Sequence, residues 1–386
     1  MVIVMRYVKP HYYASFKCIA DKCPDTCCAG WQIVIDEDTL EKYRDCACEG
    51  KDGFAEKLKA SVDFEESTFI NKGKRCAMLN DNNLCDLIMA KGEGFLCDTC
   101  NRYPRHIEEF DGVREYSLSL SCPVAADIML KQKETTHFIV EEDETSDPLS
   151  EEFEDFDFML YSLLEDAREE IFKVINNRAV PIEKRMAVLV KLAEEMQYCV
   201  DEGRIYDIQT LLDEIRENAV TANVLNLTEE ERYNKLCDNF TIYTQMERLR
   251  DEWSSVLEGA WNTLYKDGFE TYKAIYEQFS RYEFTGEILT NEEEIYSWDV
   301  FTEYILTFFI YTYFCGAVYD DCIYSKVVLS VMSACYIREF CMYKWYVSGK
   351  KITYDECIRM AYCYAREIEH SDLNLNALED WIMDRL

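Results

Sequence analysis

At 386 residues, with 48% hydrophobic side chains, the chain is long enough for two domains, or for one domain with an appended module, and can bury a sizeable core. Its formal charge of −34 repels phosphate and so argues against nucleic-acid and anionic-membrane partners. The same acidity suits a lysine-bearing protein partner, though solubility alone would account for it. With only 6 prolines and 13 glycines, and long Leu/Glu/Lys/Tyr tracts, a loop-rich or all-β fold is excluded in favour of a mainly α one.

The opening MVIVMRYVKPHYY has too short an apolar run for a signal peptide and lacks a small-residue cleavage site. The cysteines are therefore expected in a reducing compartment, as metal thiolates or free thiols. There are nineteen, an odd number, so complete pairing within one chain is impossible. Eleven fall between Cys18 and Cys122, and the rest are scattered through apolar helical sequence. The first group reads Cys18-x4-Cys23-x3-Cys27-Cys28, with Pro24 and Gly30 keeping the backbone irregular so that several sulfurs can point at one spot. Trp31, Ile33 and Ile35 alternate as in a short strand, and a helix is expected to start at Asp36. Cys46 and Cys48 read as belonging to a charged turn and are set aside as ligands.

Cys76 and Cys85 flank the turn-forming run Asn80-Asp81-Asn82-Asn83. Cys97-x2-Cys100 follows, a spacing that brings two sulfurs to one metal from a single turn, and then Asn101-Arg102-Tyr103-Pro104-Arg105-His106. Tyr116, Leu118, Leu120 and Cys122 alternate with serines, which puts Cys122 at a strand end, and Pro123 suits the first turn of a helix over Val124–Lys131. Residues 1–140 thus read as a small, irregular, cysteine-rich metal-binding region with short strands. The acidic stretch 141–157, around Pro148, reads as a linker. Residues 158–386 have apolar positions at three- and four-residue intervals throughout and read as all-helical, with no internal repeat. The apolar runs Leu306–Val318 and Val327–Ile337 are shorter than a bilayer span and read as buried core helices, with their tyrosines in the core and the hydroxyls at its edge.

Nine thiols remain as ligands: Cys18, Cys23, Cys27, Cys28, Cys76, Cys85, Cys97, Cys100 and Cys122. A tetrahedral zinc or a cubane cluster takes four, so nine fill one site with spares or two with one left over. Spacing does not separate zinc from iron–sulfur, and a zinc-stabilised module without chemistry fits equally well. Near the C-terminus, helical spacing places Arg366 and Glu367 each on a shared face with His370, beside a row of Arg359, Cys363 and Glu367. Such a group can position a lysine or a polar cofactor tail, or simply form surface ion pairs. No Gly-rich nucleotide loop, serine-hydrolase motif, HExxH or P-loop is present. Pattern alone stops at a mostly helical metal-binding protein, leaving open a non-enzymatic zinc/iron-binding adaptor or an iron–sulfur redox protein.

The stretches FKCIADKCPDTCCAGWQIVID, Cys97-x2-Cys100-Asn-Arg-Tyr-Pro-Arg, SLSLSCP and Tyr364-Ala-Arg-Glu-Ile-Glu-His-Ser together resemble the flagellin lysine-N-methylase (FliB-like) family. The N-terminal part is also similar to the CxxCxxCC zinc- or iron-chelating domains, except that three residues separate Cys23 from Cys27. The resemblance implies methyl transfer from S-adenosylmethionine to lysine side chains of flagellin, in the cytoplasm, with a [4Fe–4S] cluster on the N-terminal cysteines. The usual radical Cys-x3-Cys-x2-Cys spacing is missing, since position 30 is glycine. On this reading Glu367, His370 and Tyr313 are expected as bases or positioning groups, and Arg102, Arg105 and Arg366 as holders of the cofactor carboxylate or balancers of thiolate charge.

Overall fold

The computed structural model describes residues 3–50, 52–145, 153, 156–218, 227–282 and 297–386. The lead-in, unassigned from sequence, is a strand, β1 (Ile3–Pro10), and it lies inside a four-stranded sheet. Irregular backbone carries the chain through Cys18–Cys28 to α1 (Glu37–Glu49), which Asp36 caps by accepting the Thr39 amide at 2.9 Å. Helix α2 (Gly53–Lys59) follows, then four two-residue strands: β2 (Val62–Asp63), β3 (Thr68–Phe69), β4 (Asn71–Lys72) and β5 (Arg75–Cys76). Short helices α3 (Asp86–Lys91) and α4 (Asp98–Arg102) close this region.

Two local expectations are corrected here. Ile33 and Ile35 are buried with Val34 exposed between them, so the alternation is real, but only isolated bridges from Ala29 to Arg75 and from Val34 to Thr68 form. No partner runs alongside long enough to complete a strand. Cys46 and Cys48 sit in the last turn of α1 and not in a charged turn, because the helix begun at Asp36 runs on through them.

The hairpin β6 (Arg105–Phe110) and β7 (Val113–Leu118) leads into α5 (Pro123–Leu130), with Pro123 in the first turn and Cys122 at the N-cap. Strand β8 (Phe138–Thr145) completes the sheet in the order β6-β7-β1-β8, with β1 parallel to β7 and antiparallel to β8. The acidic 141–157 stretch thus begins inside a strand, and most of its remainder lies outside the described residues.

Ten helices follow among the described residues: α6 (Phe158–Ile175), α7 (Ile182–Asp201), α8 (Asp207–Asn218), α9 (Glu229–Gln245), α10 (Asp251–Ala260), α11 (Phe269–Ser280), α12 (Trp298–Tyr313), α13 (Ile323–Val347), α14 (Tyr354–Glu369) and α15 (Asp372–Met383). Helix α13 is buried nearly all round, as suits the centre of an α-helical body. Trp298–Val318 is apolar and long enough to cross a membrane, yet most of it is buried within the protein. Glu303, in its middle, binds Arg178 at 2.8 Å and Arg185 at 3.1 Å. Two further interior charges are likewise partnered: Arg338 meets Glu183 at 2.8 Å, and Glu339 accepts from the Tyr265 and Tyr272 hydroxyls. Tyrosine hydroxyls cap carbonyls, as Tyr311 does for Val8 and Tyr336 for Leu236.

Two hydrophobic cores result. The larger joins β1, β7 and α5 to the helices, from Val8 to Ile382, so the sheet belongs to the helical body. The smaller, containing Ile33, Tyr43, Leu58, Phe69, Met78 and Cys97, lies within the cysteine module and is separate from the first.

Candidate functional site at the module junction

The nine thiols fall into two neighbourhoods. In the module, the β5 amide of Cys76 donates to the Cys28 carbonyl at 2.9 Å, and Leu79 bridges to Cys85. Cys97 caps the N-terminus of α4, which carries Cys100 one turn later. Cys76 and Cys97 lie within the small core, with Cys28, Cys85 and Cys100 packed against it. Burial pushes the Cys76 thiol up to about 12, while a hydrogen bond to Cys100 lowers Cys97. A hydrogen bond to Cys27, with Thr26 and Arg75 nearby, brings Cys28 down to about 7.

The second neighbourhood lies where the module meets the body. Arg366, buried on α14, donates from Nε to the Ser121 carbonyl at 2.7 Å and from Nη2 to the Asp25 carbonyl at 2.7 Å. One side chain thereby ties the Cys23–Cys27 loop to the residue preceding Cys122. Cys27 feels the charge of Cys122 and Cys18, and Cys122 that of Cys23. The Asp25 carboxylate sits between Arg366 (2.8 Å) and Arg250. Two guanidiniums on one carboxylate leave a surplus positive charge: Arg366 Nη1 lies 2.8 Å from Asp25 Oδ1, and Arg250 Nη2 is buried without a hydrogen-bond partner.

His370, the C-cap of α14, stacks on Trp31 with centroids 4.5 Å apart and meets the edge of Tyr103 at 5.6 Å. Its Nε2 bonds to Ser121 Oγ at 2.9 Å. Arg366 and His370 therefore do share a face, and it converges on Ser121. Desolvation, reinforced by Arg366 and Arg250, lowers His370 to about 3, so the ring is neutral at ordinary pH.

The remaining residues singled out from sequence are not gathered at one point. Glu367 turns the other way and accepts the amides of Leu249 and Arg250, both at 3.0 Å, at the entry to α10. Burial raises it to about 7. Tyr313 is half-buried and packs on Phe309, with Glu369 as its nearest charged influence. Arg102 forms an exposed ion pair with Asp98 at 2.8 Å, and Arg105 lies over the Phe16 ring.

Residues missed from sequence complete the junction: Asp25, Ser121, Trp31, Tyr103, Arg250 and Glu369. Glu369 accepts from the Ser121 amide (2.9 Å) and the Ser119 hydroxyl (3.0 Å), and desolvation raises it to about 7. It stands in the same EIEH segment as His370, so its two-residue offset from Glu367 was the available signal.

On the far side of the 246–250 turn lies a groove of about 430 Å³, lined among others by Phe240, Thr244, Arg248, Ser254, Glu258 and Trp261. Trp261 opens a single π-helical turn. Arg248 faces this groove while Arg250, two residues on, faces the junction, so the two places share a wall.

The donor set suits a thiolate-bound metal. The thiols are soft, they are grouped, and at the junction they stand beside unbalanced guanidinium charge. A single zinc with bonds of 2.3 Å needs its sulfurs about 3.8 Å apart, whereas a cubane binds each sulfur to a separate iron and accepts a wider set. Among the described residues, the trio of ligand atoms drawn within 4.8 Å of one another is His11, Glu134 and His137, largely exposed at the end of the sheet, and not a set of thiols.

Residues 168–385 match the FliB lysine N-methylase C-terminal domain. The chain is 28% identical over 120 residues to the flagellar biosynthetic protein FliU of Salmonella muenchen, covering 30% of this chain and 71% of that protein. It is 29% identical over 120 residues to a lysine-N-methylase of Salmonella choleraesuis and 28% to one of Salmonella typhimurium, in each case over 30% of both chains. The similarity thus spans under a third of those two methylases. No solved structure matches. Because the matched domain covers more than half of its length, from within α6 to the last turn of the structure, the chain belongs to the FliB lysine N-methylase family.

Proposed function

We propose that this protein is a lysine N-methyltransferase acting in the cytoplasm on flagellin, with S-adenosylmethionine as methyl donor and a [4Fe–4S] cluster on its N-terminal thiols. The observation that carries the reading is the match of residues 168–385 to the methylase C-terminal domain. The junction supports it, because α14 of that domain reaches into the cysteine module through Arg366.

When bound, the sulfonium cofactor supplies an electrophilic methyl group and the cluster an anchoring Lewis-acidic metal. The protein's own task is to deliver a lysine in its neutral form, since an amine with an ordinary value of about 10.4 is otherwise protonated. The junction serves this purpose: the desolvation that, with the charges of Arg366 and Arg250, keeps His370 neutral also disfavours an ammonium brought alongside. With a value near 3, His370 orients and does not accept the proton. Glu367 and Glu369, held near neutrality, are the groups able to exchange one at physiological pH. Tyr313 acts through packing near Glu369.

Beside the expected Arg102, Arg105 and Arg366, Arg248 is a further partner for a cofactor carboxylate, because it lines the groove. Glu258 and Trp261 in the same groove suit its ammonium and its base, and the volume is that of a small-molecule site. The acidic surface favours approach of a lysine-bearing partner.

The test is anaerobically purified, metal-loaded protein incubated with methyl-labelled S-adenosylmethionine and flagellin, read by mass spectrometry. Label on flagellin lysines is expected. Its absence, with the metal confirmed as bound, would overturn the reading.

A further inference from the structure

Nine thiols exceed the needs of one four-ligand centre, and the fold sorts them by place. Cys76, Cys85, Cys97 and Cys100 belong to the module: two are in its small core and two pack on it. Cys122 belongs to the other core, that of the helical body, at the head of α5. The loop carrying Cys122 is held to the body through the Ser121 backbone, which Arg366 and Glu369 bind. Arg366 also pins the Asp25 carbonyl, which accepts the Cys23 thiol at 3.2 Å. The loop carrying Cys23 and Cys27 is thus held on the body side, where Cys27 hydrogen-bonds to Cys28 and lies within electrostatic reach of Cys122 and of the exposed Cys18. Cys28 divides the two groups: its carbonyl takes the Cys76 amide, and its backbone turns the chain into the module.

We propose that the thiols build two separate metal centres, one within the module on Cys76, Cys85, Cys97 and Cys100, and a second across the junction on Cys18, Cys23, Cys27 and Cys122. Three ligands of the second come from the N-terminal loop and one from the start of α5, so this centre fastens the module to the methylase domain. The guanidiniums of Arg250 and Arg366, which share the single carboxylate of Asp25, lie beside it and offset the negative charge of a four-thiolate site. The ligand class is a thiophilic metal, either zinc or an iron–sulfur cluster. The inference concerns metal count and place, and it stands or falls separately from methyl transfer.

The test uses the full-length protein purified anaerobically, with zinc, iron and acid-labile sulfide counted per chain. Wild type is expected to carry two centres. Cys122→Ser should lose about half of the metal, Cys97→Ser the other half, and the double variant nearly all. Since Cys122 is buried and its replacement can disturb packing, the exposed Cys18→Ser supplies the second arm, and it should lose the same half as Cys122→Ser. Sulfide accompanying the lost iron identifies a cluster, and its absence identifies zinc. One centre's worth of metal in wild type would overturn the proposal. So would full retention of metal in Cys18→Ser and Cys122→Ser alike, or loss of both centres in Cys97→Ser with the helical circular dichroism unchanged.

Discussion

The cysteine module closes its core on eleven buried residues, drawn from two-residue strands and helices of at most thirteen residues. The helical body buries apolar side chains from ten helices and one sheet, and the charges of Glu303, Arg338 and Glu339 within it have partners on neighbouring helical segments. A core as small as the module's does not by itself offset the conformational entropy of an irregular chain. The body needs no such help. On the metal-centre proposal, cross-linking through thiol-bound metal substitutes for burial in the module, and Arg366 joins the two regions by its bonds to the Ser121 and Asp25 carbonyls.

The largest effect should come from removing metal. Chelation under reducing conditions is expected to abolish amide protection through residues 18–100, with an effect on the order of 10 kcal/mol if the metal is structural. Far-UV circular dichroism of the helical body should persist. Unchanged hydrogen exchange in the module would break the comparison at its root.

Cutting the coupling comes next. Arg366→Ala removes the bonds to the Ser121 and Asp25 carbonyls and leaves a cavity between the regions. A loss of about 3–5 kcal/mol is expected, as for a broken buried pair. Hydrogen exchange should show it at both edges of the junction. Glu303→Gln should cost a similar amount, but confined to the body, where it uncovers Arg178 and Arg185. If the two variants gave the same exchange pattern, the body and module would be one cooperative unit.

The junction also predicts opposing pH dependences. Glu367 and Glu369 hold their protons in the folded state up to about 7, against about 4.5 when unfolded. Their stabilisation is complete below about 4.5 and is lost as pH rises through 7, by at most about 3 kcal/mol each. His370 runs the other way: the unfolded ring binds a proton below about 6.5 and the folded ring only below about 3, so stability rises with pH across that window. Urea titrations should show a steeper rise between pH 4.5 and 7 in Glu369→Gln and a steeper fall in His370→Gln. Identical slopes in both variants and wild type would refute the assignment.

The smallest effect is expected at Arg102. Its exposed pair with Asp98, one turn away on α4, is worth under about 0.5 kcal/mol. Arg102→Ala should leave metal content and stability nearly unchanged. A marked loss of either would restore Arg102 to the site.

The helical body was legible because its cause is local. Three- and four-residue spacing of apolar side chains, with capping boxes such as Thr353–Glu356, marks each helix along the chain. The Pro123 helix start and the shared face of Arg366 and His370 were readable for the same reason, since each lies within one turn or one short loop. Strand β1 was not, because its partners β7 and β8 lie more than a hundred residues on and a strand gains its hydrogen bonds only from partners. Nor were the roles of Arg102, Glu367 and Asp25. A guanidinium four residues from an aspartate pairs with it at the surface, whereas Asp25 meets Arg366 across 341 residues of chain. Residue type and spacing determined which groups could bind metal or move a proton. Which of them meet, and which of the nine thiols stand together, was decided by how α14 and the head of α5 pack against the cysteine loop, a consequence of burial and charge pairing between distant segments that no local pattern records.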